Sequence, residues 1–559
     1  MSEAFARKAT GLVREIGFVT SILITICFVI GLGWQKRAFQ VVGWAPIPET
    51  AYPLGIPPIV MAFLIGGIVV ILTIFVFGML VASMPRSGGG YVYVSRILSP
   101  GWALVAGWSE LFGFGACYGA VAACVAEVAI MFGGIAGVYR AEMFLTPEWI
   151  LFFGAVILGA TGLAAALGVR MAGRLLQTVF WIPFAILIVL WFSLAIATPE
   201  MMESGIVAIT GHSSIEYTRA ALDQGMREAA AGIDYWGAVS VAMLGAYWAY
   251  IGYTGSTFVA GEVKEAHKAL PRSLAMAGFI IMIWYMFTST LMSNAARMVG
   301  VIGDYSFFSA WGFLSYGKGS LAAAGLPVYK AWLPVTGMFM WEAMGWHWAL
   351  GLLVIFSALF VFNDLPPFYL CASRLVFAMS FDRVFPERLM DVNARWHSPL
   401  KAVAFVFALG MLGVVAESDI FKYLGPWDTN LLWRIVGSSG TIETADVWDG
   451  FFFLLVCIAG LLLPYRRRDI YEKSPFRRAV AGVPVISIVA AMATIGQLYF
   501  MYTFMTNPFE ALNPWGWAEG FWTTVAILVI GALIYYYYKT KAKRTGVDLT
   551  AIYTEIPPE

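Results

Sequence analysis

Apolar runs of about 20 residues, separated by charged residues or by Pro and Gly, recur along the whole chain. They predict membrane-spanning helices near 16–44, 58–83, 101–132, 147–167, 175–198, 238–261, 273–298, 346–373, 400–416, 449–464, 479–503 and 519–538, about twelve in all. The first run, Ile16 to Trp34, leads into Gln35, Lys36 and Arg37 with no small-residue cleavage site behind it, so it reads as a retained helix and not a leader. The fold class expected is an all-α polytopic membrane protein.

Composition turns that pattern into a statement about solvent. Of the 559 residues 60% are hydrophobic and 12% charged, against roughly a quarter charged in soluble domains, which excludes an ordinary soluble enzyme. Cys27, Cys117, Cys124, Cys371 and Cys457 lie in apolar stretches without CxxC spacing, and the four histidines are scattered. No disulfide framework, no metal site and no cofactor are expected. A net charge of +1 offers no basic face for nucleic acid. The spans hold no constellation of nucleophile, base and oxyanion donors and no nucleotide motif, so neither an enzyme nor an ATP-driven pump is expected.

Basic residues set the orientation. With the N-terminus cytoplasmic, most lysines and arginines fall on inside segments, from Arg7, Lys8 and Arg14 through Arg466, Arg467 and Arg468 to Lys539 and Lys541. Both termini are then cytoplasmic, and the protein is a multi-pass resident of the cell (plasma) membrane, with lipid as a partner and the Arg466–Arg468 cluster able to meet anionic headgroups. The organisation expected is a cytoplasmic N-terminal segment 1–14, a core of helices one to ten over 15–464, two further helices within 465–538 and a cytoplasmic tail 539–559. Connections 199–237 and 299–345 lie outside, the first patterned as short surface helices.

Two predicted spans are interrupted. Ile30-Gly31-Leu32-Gly33-Trp34 places two glycines before Gln35, and Trp248-Ala249-Tyr250-Ile251-Gly252-Tyr253-Thr254-Gly255 repeats the pattern in the sixth span. First and sixth helices are the matching members of a five-plus-five inverted repeat, in which interrupted helices carry the binding site. Amides freed at a break favour a carboxylate and freed carbonyls favour a cation, so such a pair of breaks suits a zwitterion. Glycines that simply let helices pack closely are the alternative.

Three stretches carry a family resemblance. Pro85-Arg86-Ser87-Gly88-Gly89-Gly90-Tyr91-Val92-Tyr93-Val94-Ser95-Arg96 resembles the signature between helices two and three of the amino acid-polyamine-organocation (APC) superfamily permeases. Ala260-Gly261-Glu262-Val263-Lys264 with Leu270-Pro271-Arg272, and Ser373-Arg374-Leu375-Val376-Phe377-Ala378-Met379 running on to Asp382 and Phe385-Pro386, are similar to that family's exits from helices six and eight. The resemblance implies a LeuT-like 5+5 inverted repeat plus two further helices, alternating access, and amino acids or related amines as substrates. It implies substrate contacts at Gly31, Leu32 and Gly33, at Trp248, Ile251, Gly252 and Thr254, and at Phe368; Ile30, Tyr253 and Gly255 belong to the same breaks. Leu32 is bulkier than the small residue usual between those glycines. Pro183 stands where several proton-coupled relatives have a lysine, so a lysine-based proton mechanism is not expected.

The acids inside the spans are the remaining candidates. In Phe362-Asn363-Asp364-Leu365-Pro366-Pro367, Asp364 lies ten residues before Arg374, which is expected to mark the cytoplasmic edge, so that Asp364 is roughly 15 Å deep at 1.5 Å per residue, about the middle of the hydrocarbon core. In the resembling fold the coupling-cation site lies between helix one, just before its break, and helix eight, so Asn363 and Asp364 become candidate ligands for sodium or a proton; a cap for the half-helix at Leu365 is the alternative. Glu110 lies roughly 14 Å beyond Gly101 along helix three, where a proton role and a structural partner are both open, and Glu127 lies nearer the outer end. Lys36 and Arg37 are expected to snorkel to the interface. The function expected is a secondary active amino acid permease coupled to sodium or protons. An inorganic-cation (potassium) or polyamine carrier, or a non-transporting nutrient receptor, is the alternative.

Overall fold

Ten of the predicted spans are helices of 18 residues or more, apolar enough to cross a membrane. Missing from those ten are the spans 16–44 and 238–261, the two that glycines interrupt. A computed structural model describes residues 12–138, 142–426, 430, 434–435, 444–506, 519–546 and 549–554. Arg7, Lys8 and the last five residues of the expected cytoplasmic tail lie outside the described residues.

The first span is α1 (Phe18–Cys27) and α2 (Arg37–Trp44), followed by α3 (Pro58–Ser83), a short α4 (Gly90–Ile97), α5 (Pro100–Ile135), α6 (Pro147–Ala166) and α7 (Val169–Ala195). The interrupted sixth span is α8 (Tyr235–Tyr250) with the 3-10 turns Gly255–Thr257 and Ala260–Glu262. Then come α9 (Ala266–Arg297), α10 (Leu350–Phe362), α11 (Leu365–Phe381), α12 (Leu400–Glu417), α13 (Ala445–Arg466), α14 (Val485–Thr506), α15 (Glu519–Arg544) and α16 (Leu549–Thr554). Connection 199–237 folds into helices at Pro199–Thr210 and Ser214–Asp223, and 299–345 carries Phe307–Tyr316 and Leu333–Ala343.

Local chemistry explains the starts. Pro58, Pro100 and Pro147 occupy first-turn positions, where a missing N–H costs nothing, and Ser99 Oγ accepts from Trp102 N at the head of α5. Large apolar side chains face outward: Phe152 and Val156 on α6, Trp181 and Phe192 on α7, Ile495 and Tyr502 on α14, Leu533 and Tyr536 on α15. Water would penalise such a surface, and lipid does not. Inside, α5 and α12 touch backbone to backbone. A Cβ built on Gly119 would overlap the Gly410 carbonyl, and one on Gly413 would overlap that of Ala116. Without a hydrophobic force between helices in lipid, this close approach of small residues is what holds them.

The three signature stretches converge at the end of the bundle where the described chain termini also lie. Ile16 N donates to Glu262 O at 2.9 Å and Lys264 N to Ile16 O at 3.0 Å. Arg374 grips Glu262 in a fully buried bidentate pair at 2.6 and 3.0 Å, and Arg96 grips Asp382 through both guanidinium nitrogens, the NH2 arm at 2.8 Å. The Tyr553 ring of α16 lies under the Arg96 guanidinium, 5.1 Å away. Gly89, with φ +54°, begins α4 in a conformation that any side chain would strain.

Several expected boundaries move. The fifth helix begins at Val169 instead of 175 and the seventh at Ala266 instead of 273, with Pro271 inside its second turn. Residues 479–484 form a two-stranded hairpin, so the eleventh helix starts only at Val485. Arg374 does not mark a membrane edge: its helix runs on to Phe381 and its charge is neutralised inside. Replacing one partner of such a pair strands the other charge, at a cost of about 3–5 kcal/mol. Arg374→Ala is therefore expected to lower the unfolding temperature in detergent sharply. The apolar double replacement Arg374→Met with Glu262→Met should recover much of the loss in the same assay.

Candidate functional site

Both breaks open carbonyls in the middle of the bundle, and each must find a donor there. After Cys27 the α1 ladder fails, and the Phe28 carbonyl accepts from Tyr118 Oη of α5 at 2.8 Å. The Val29 carbonyl accepts from Tyr285 Oη of α9 at 2.8 Å, and the same hydroxyl meets the Ala249 carbonyl at 2.7 Å. One tyrosine thus pins the first break to the second. Thr25 Oγ1, donating to Ser256 Oγ at 2.9 Å, adds a further tie between them.

Glycine is required where the two breaks cross. Gly252 has φ +95°, and a Cβ there would collide with the Phe28 carbonyl and sit 2.7 Å from Tyr118 Oη. Gly33 faces the Trp248 ring, 2.8 Å from where its Cβ would be. Arg37 lies over the other side of that ring at 4.6 Å.

Between the breaks lies a cavity of about 20 Å3, lined by Phe28, Val29, Leu32, Gly33, Cys117, Tyr118, Val121, Trp248, Ala249, Ile251 and Asp364. That is room for about one water, so admitting anything larger requires a wall to move. Leu32, Gly33, Trp248 and Ile251 stand on this wall, as the breaks suggest. Ile30 is buried beside it, Thr254 and Gly255 pack one turn below, and Tyr253 turns away to stack on Phe453 at 4.6 Å. Phe368 stands one layer back, stacked on Tyr118 at 5.5 Å.

Asp364 reaches the first break. Its carboxylate fills the space beside Gly31, where a Cβ would overlap it. The half-helix beginning at Leu365 receives no capping bond from it, and φ −69°, ψ −26° keep Asp364 helical. Asn363 N still donates to Leu359 O and Phe368 N to Asp364 O, so Pro366 and Pro367 interrupt the hydrogen-bond ladder without turning the chain. Both amide atoms of Asn363 and Oδ1 of Asp364 are buried with no partner among the described residues, each a cost of about 1–3 kcal/mol unless something satisfies it. Gln35 Nε2 donates to Gly31 O at 3.0 Å, and Ser357 Oγ donates to Gln35 Oε1 at 2.9 Å, completing the polar layer.

Less than two turns along α5 from Val121, Glu127 lines a larger cavity of about 660 Å3 with Glu417, Tyr329, Lys330 and Lys422. Here the expected snorkelling of Lys36 and Arg37 is overturned. Lys36 lies among Cys124, Glu127 and Glu417, with its ammonium 5.3 Å from the Trp332 ring, and Arg37 is 7% exposed. Folded helices supply these cations with acids and aromatic faces that a lone helix in lipid lacks. The structure also gathers Cys124, Glu127 and Glu417 into a set whose ligand atoms lie within 4.8 Å of one another, a cluster that their spacing in sequence conceals. Tyr118 and Tyr285 were likewise not singled out from the sequence, although a hydroxyl deep in an apolar span is a usable signal.

The sequence profile of the family described as "Amino acid permease" matches residues 16–533. Uncharacterized transporters of Mycobacterium bovis and Mycobacterium tuberculosis are each 23% identical over 450 residues, covering 80% of this chain and 84% of the relative. Gly252→Ala is expected to abolish function or folding outright. Tyr285→Phe, which removes the hydroxyl donor from the Ala249 carbonyl and leaves the Val29 carbonyl with Gly31 N alone, should cost about 1–3 kcal/mol, read as a lowered unfolding temperature of the purified protein.

Proposed function

The chain belongs to the amino acid permease family, and on that premise we propose that it is a secondary transporter of amino acids working by alternating access. The observation that carries the reading is the meeting of two interrupted spans at one cavity, with the unwound turns of both on its wall. Such turns let backbone groups face a substrate without exposing a helix end to lipid. Among the described residues, ten apolar helical spans and two broken ones, in first and sixth place, support a LeuT-like five-plus-five arrangement followed by two helices. The basic residues favour both termini on the cytoplasmic side of the plasma membrane.

Gly31, Leu32, Gly33, Trp248, Ile251 and Gly252 would form the substrate subsite, and Trp248 would be the wall that moves. Ile30, Tyr253, Thr254, Gly255 and Phe368 would support it from behind. Asn363 and Asp364 would hold the coupling ion, sodium or a proton: three of their buried atoms are without a partner among the described residues, and the Asp364 carboxylate lies beside Gly31 of the first break. A second reading, carriage of a polyamine or an inorganic cation, is favoured by one observation. Asp364 is the only charged side chain among the described residues lining the cavity.

Uptake into proteoliposomes decides between them, with labelled amino acids, polyamines and potassium offered under separately imposed sodium and proton gradients. Accumulation of potassium or polyamine alone would overturn the amino acid reading. Asp364→Asn should leave exchange across the membrane intact while reducing gradient-driven accumulation by roughly five- to hundredfold, the usual range of a coupling free energy. Parent-level accumulation in that variant would remove Asp364 from coupling. Leu32→Ser should widen the range of competing substrates at equal expression, and superimposable competition profiles would place Leu32 outside the subsite.

A further inference from the structure

Two carboxyl groups meet inside the bundle, apart from the cavity. Glu110 of α5 and Asp449 of α13 lie against each other where these two helices pack and neither has any exposed surface. No donor among the described residues reaches any of their four oxygens. Packing holds them there. Ser109 Oγ donates to Trp448 O at 3.2 Å, joining the residues that precede the two acids, and Trp448 Nε1 is anchored on Thr524 Oγ1 at 2.9 Å. Gly113, one turn beyond Glu110, leaves the hollow that Asp449 fills, since a Cβ there would overlap its carboxylate.

The groups facing the pair offer no positive charge. They are Cys117 on α5, Asp446 on α13, Tyr247 and Tyr253 flanking the second break, and Cys371 on α11. Helices α14 and α15 contribute the neutral Gln497 and Thr524. Arg374, one turn along α11 from Cys371, is occupied by Glu262. Two carboxylates in contact without a cation repel each other and offer only acceptors; one proton between them converts the contact into a strong donor–acceptor bond.

We propose that Glu110 and Asp449 form a proton-binding site, with a single proton held between the two carboxyls and tying α5 to α13 beside the second break. The break adjoins the turn that carries Asp449. Tyr247 Oη donates to Gln497 Oε1 at 3.1 Å, Gln497 Nε2 donates to Tyr253 Oη at 3.1 Å, and a Cβ on Gly450 would lie 3.6 Å from Tyr247 Oη. Separation of α5 from α13 would return each carboxyl to its own ionisation and release the proton. The site is distinct from the cavity and does not depend on what the cavity carries.

Infrared spectra of the purified full-length protein at neutral pH test it. In the parent, one deuterium-sensitive carboxylic C=O component is expected from the pair. Glu110→Gln and Asp449→Asn should each remove that component, because the new amide donates to the remaining carboxylate and takes over the proton's place without loss of fold. The double variant should then lose only a carboxylate signal relative to either single one. A single-variant difference spectrum showing loss of carboxylate alone overturns the proposal, as does a second carboxylic component lost between single and double variants. Where a variant does not fold, the parent alone suffices: no deuterium-sensitive carboxylic band at neutral pH overturns it.

Discussion

A polypeptide inside a bilayer must satisfy its own backbone, and this protein does so while leaving two helices broken at the level of its cavity. Tyr285 is the group on which that compromise depends. Its hydroxyl meets the Val29 and Ala249 carbonyls, so the breaks are joined through one side chain of a third helix. Tyr118 performs the same service for Phe28. With those carbonyls covered, the unwound turns can lie against each other at Gly252 and Gly33, where no side chain would fit. A bilayer supplies no water to take over if either hydroxyl withdraws.

Charge inside the bundle is arranged in three different ways. At the end holding the described termini, Arg96 with Asp382 and Arg374 with Glu262 are bidentate and enclosed. Buried pairs of this kind add little net stability over apolar packing but strongly favour one arrangement of the elements they join. They link α4, the exit of the sixth span and the eighth helix. Toward the other end, Lys36 lies among acids beside a large cavity. Between the two ends, Asp364 and the Glu110–Asp449 pair have no cation partner among the described residues. Carboxyls without a cation partner respond to protons and metal ions, whereas paired ones act as struts.

Small residues make this distribution possible. Backbone contact between α5 and α12 holds two long helices together without side chains, which leaves other faces of α5 free to carry Glu110, Tyr118 and Glu127 to three separate environments. A helix of 36 residues is roughly 54 Å long, so one element serves the acid pair, the small cavity and the larger cavity at Glu127 in turn.

Hydropathy alone located the ten long apolar helices, because the need for about 20 apolar residues leaves few alternatives, and Gly31, Gly33, Gly252 and Gly255 disclosed which two of the expected spans would be interrupted. Charge counting and the signature stretches suggested orientation and family. The sequence did not disclose which residues meet across the breaks. Tyr285 lies 256 positions from Val29, and the Glu110–Asp449 contact joins helices far apart in the chain. Periodicity reports which face of a helix is apolar, but in a membrane nearly every face is, so register between helices is set by small-residue packing that single-helix patterns do not encode. For the same reason Lys36, Arg37 and Arg374 were read as edge residues. Sequence assigns a buried charge to an interface, and only the packed bundle supplies the partner that allows it to stay inside.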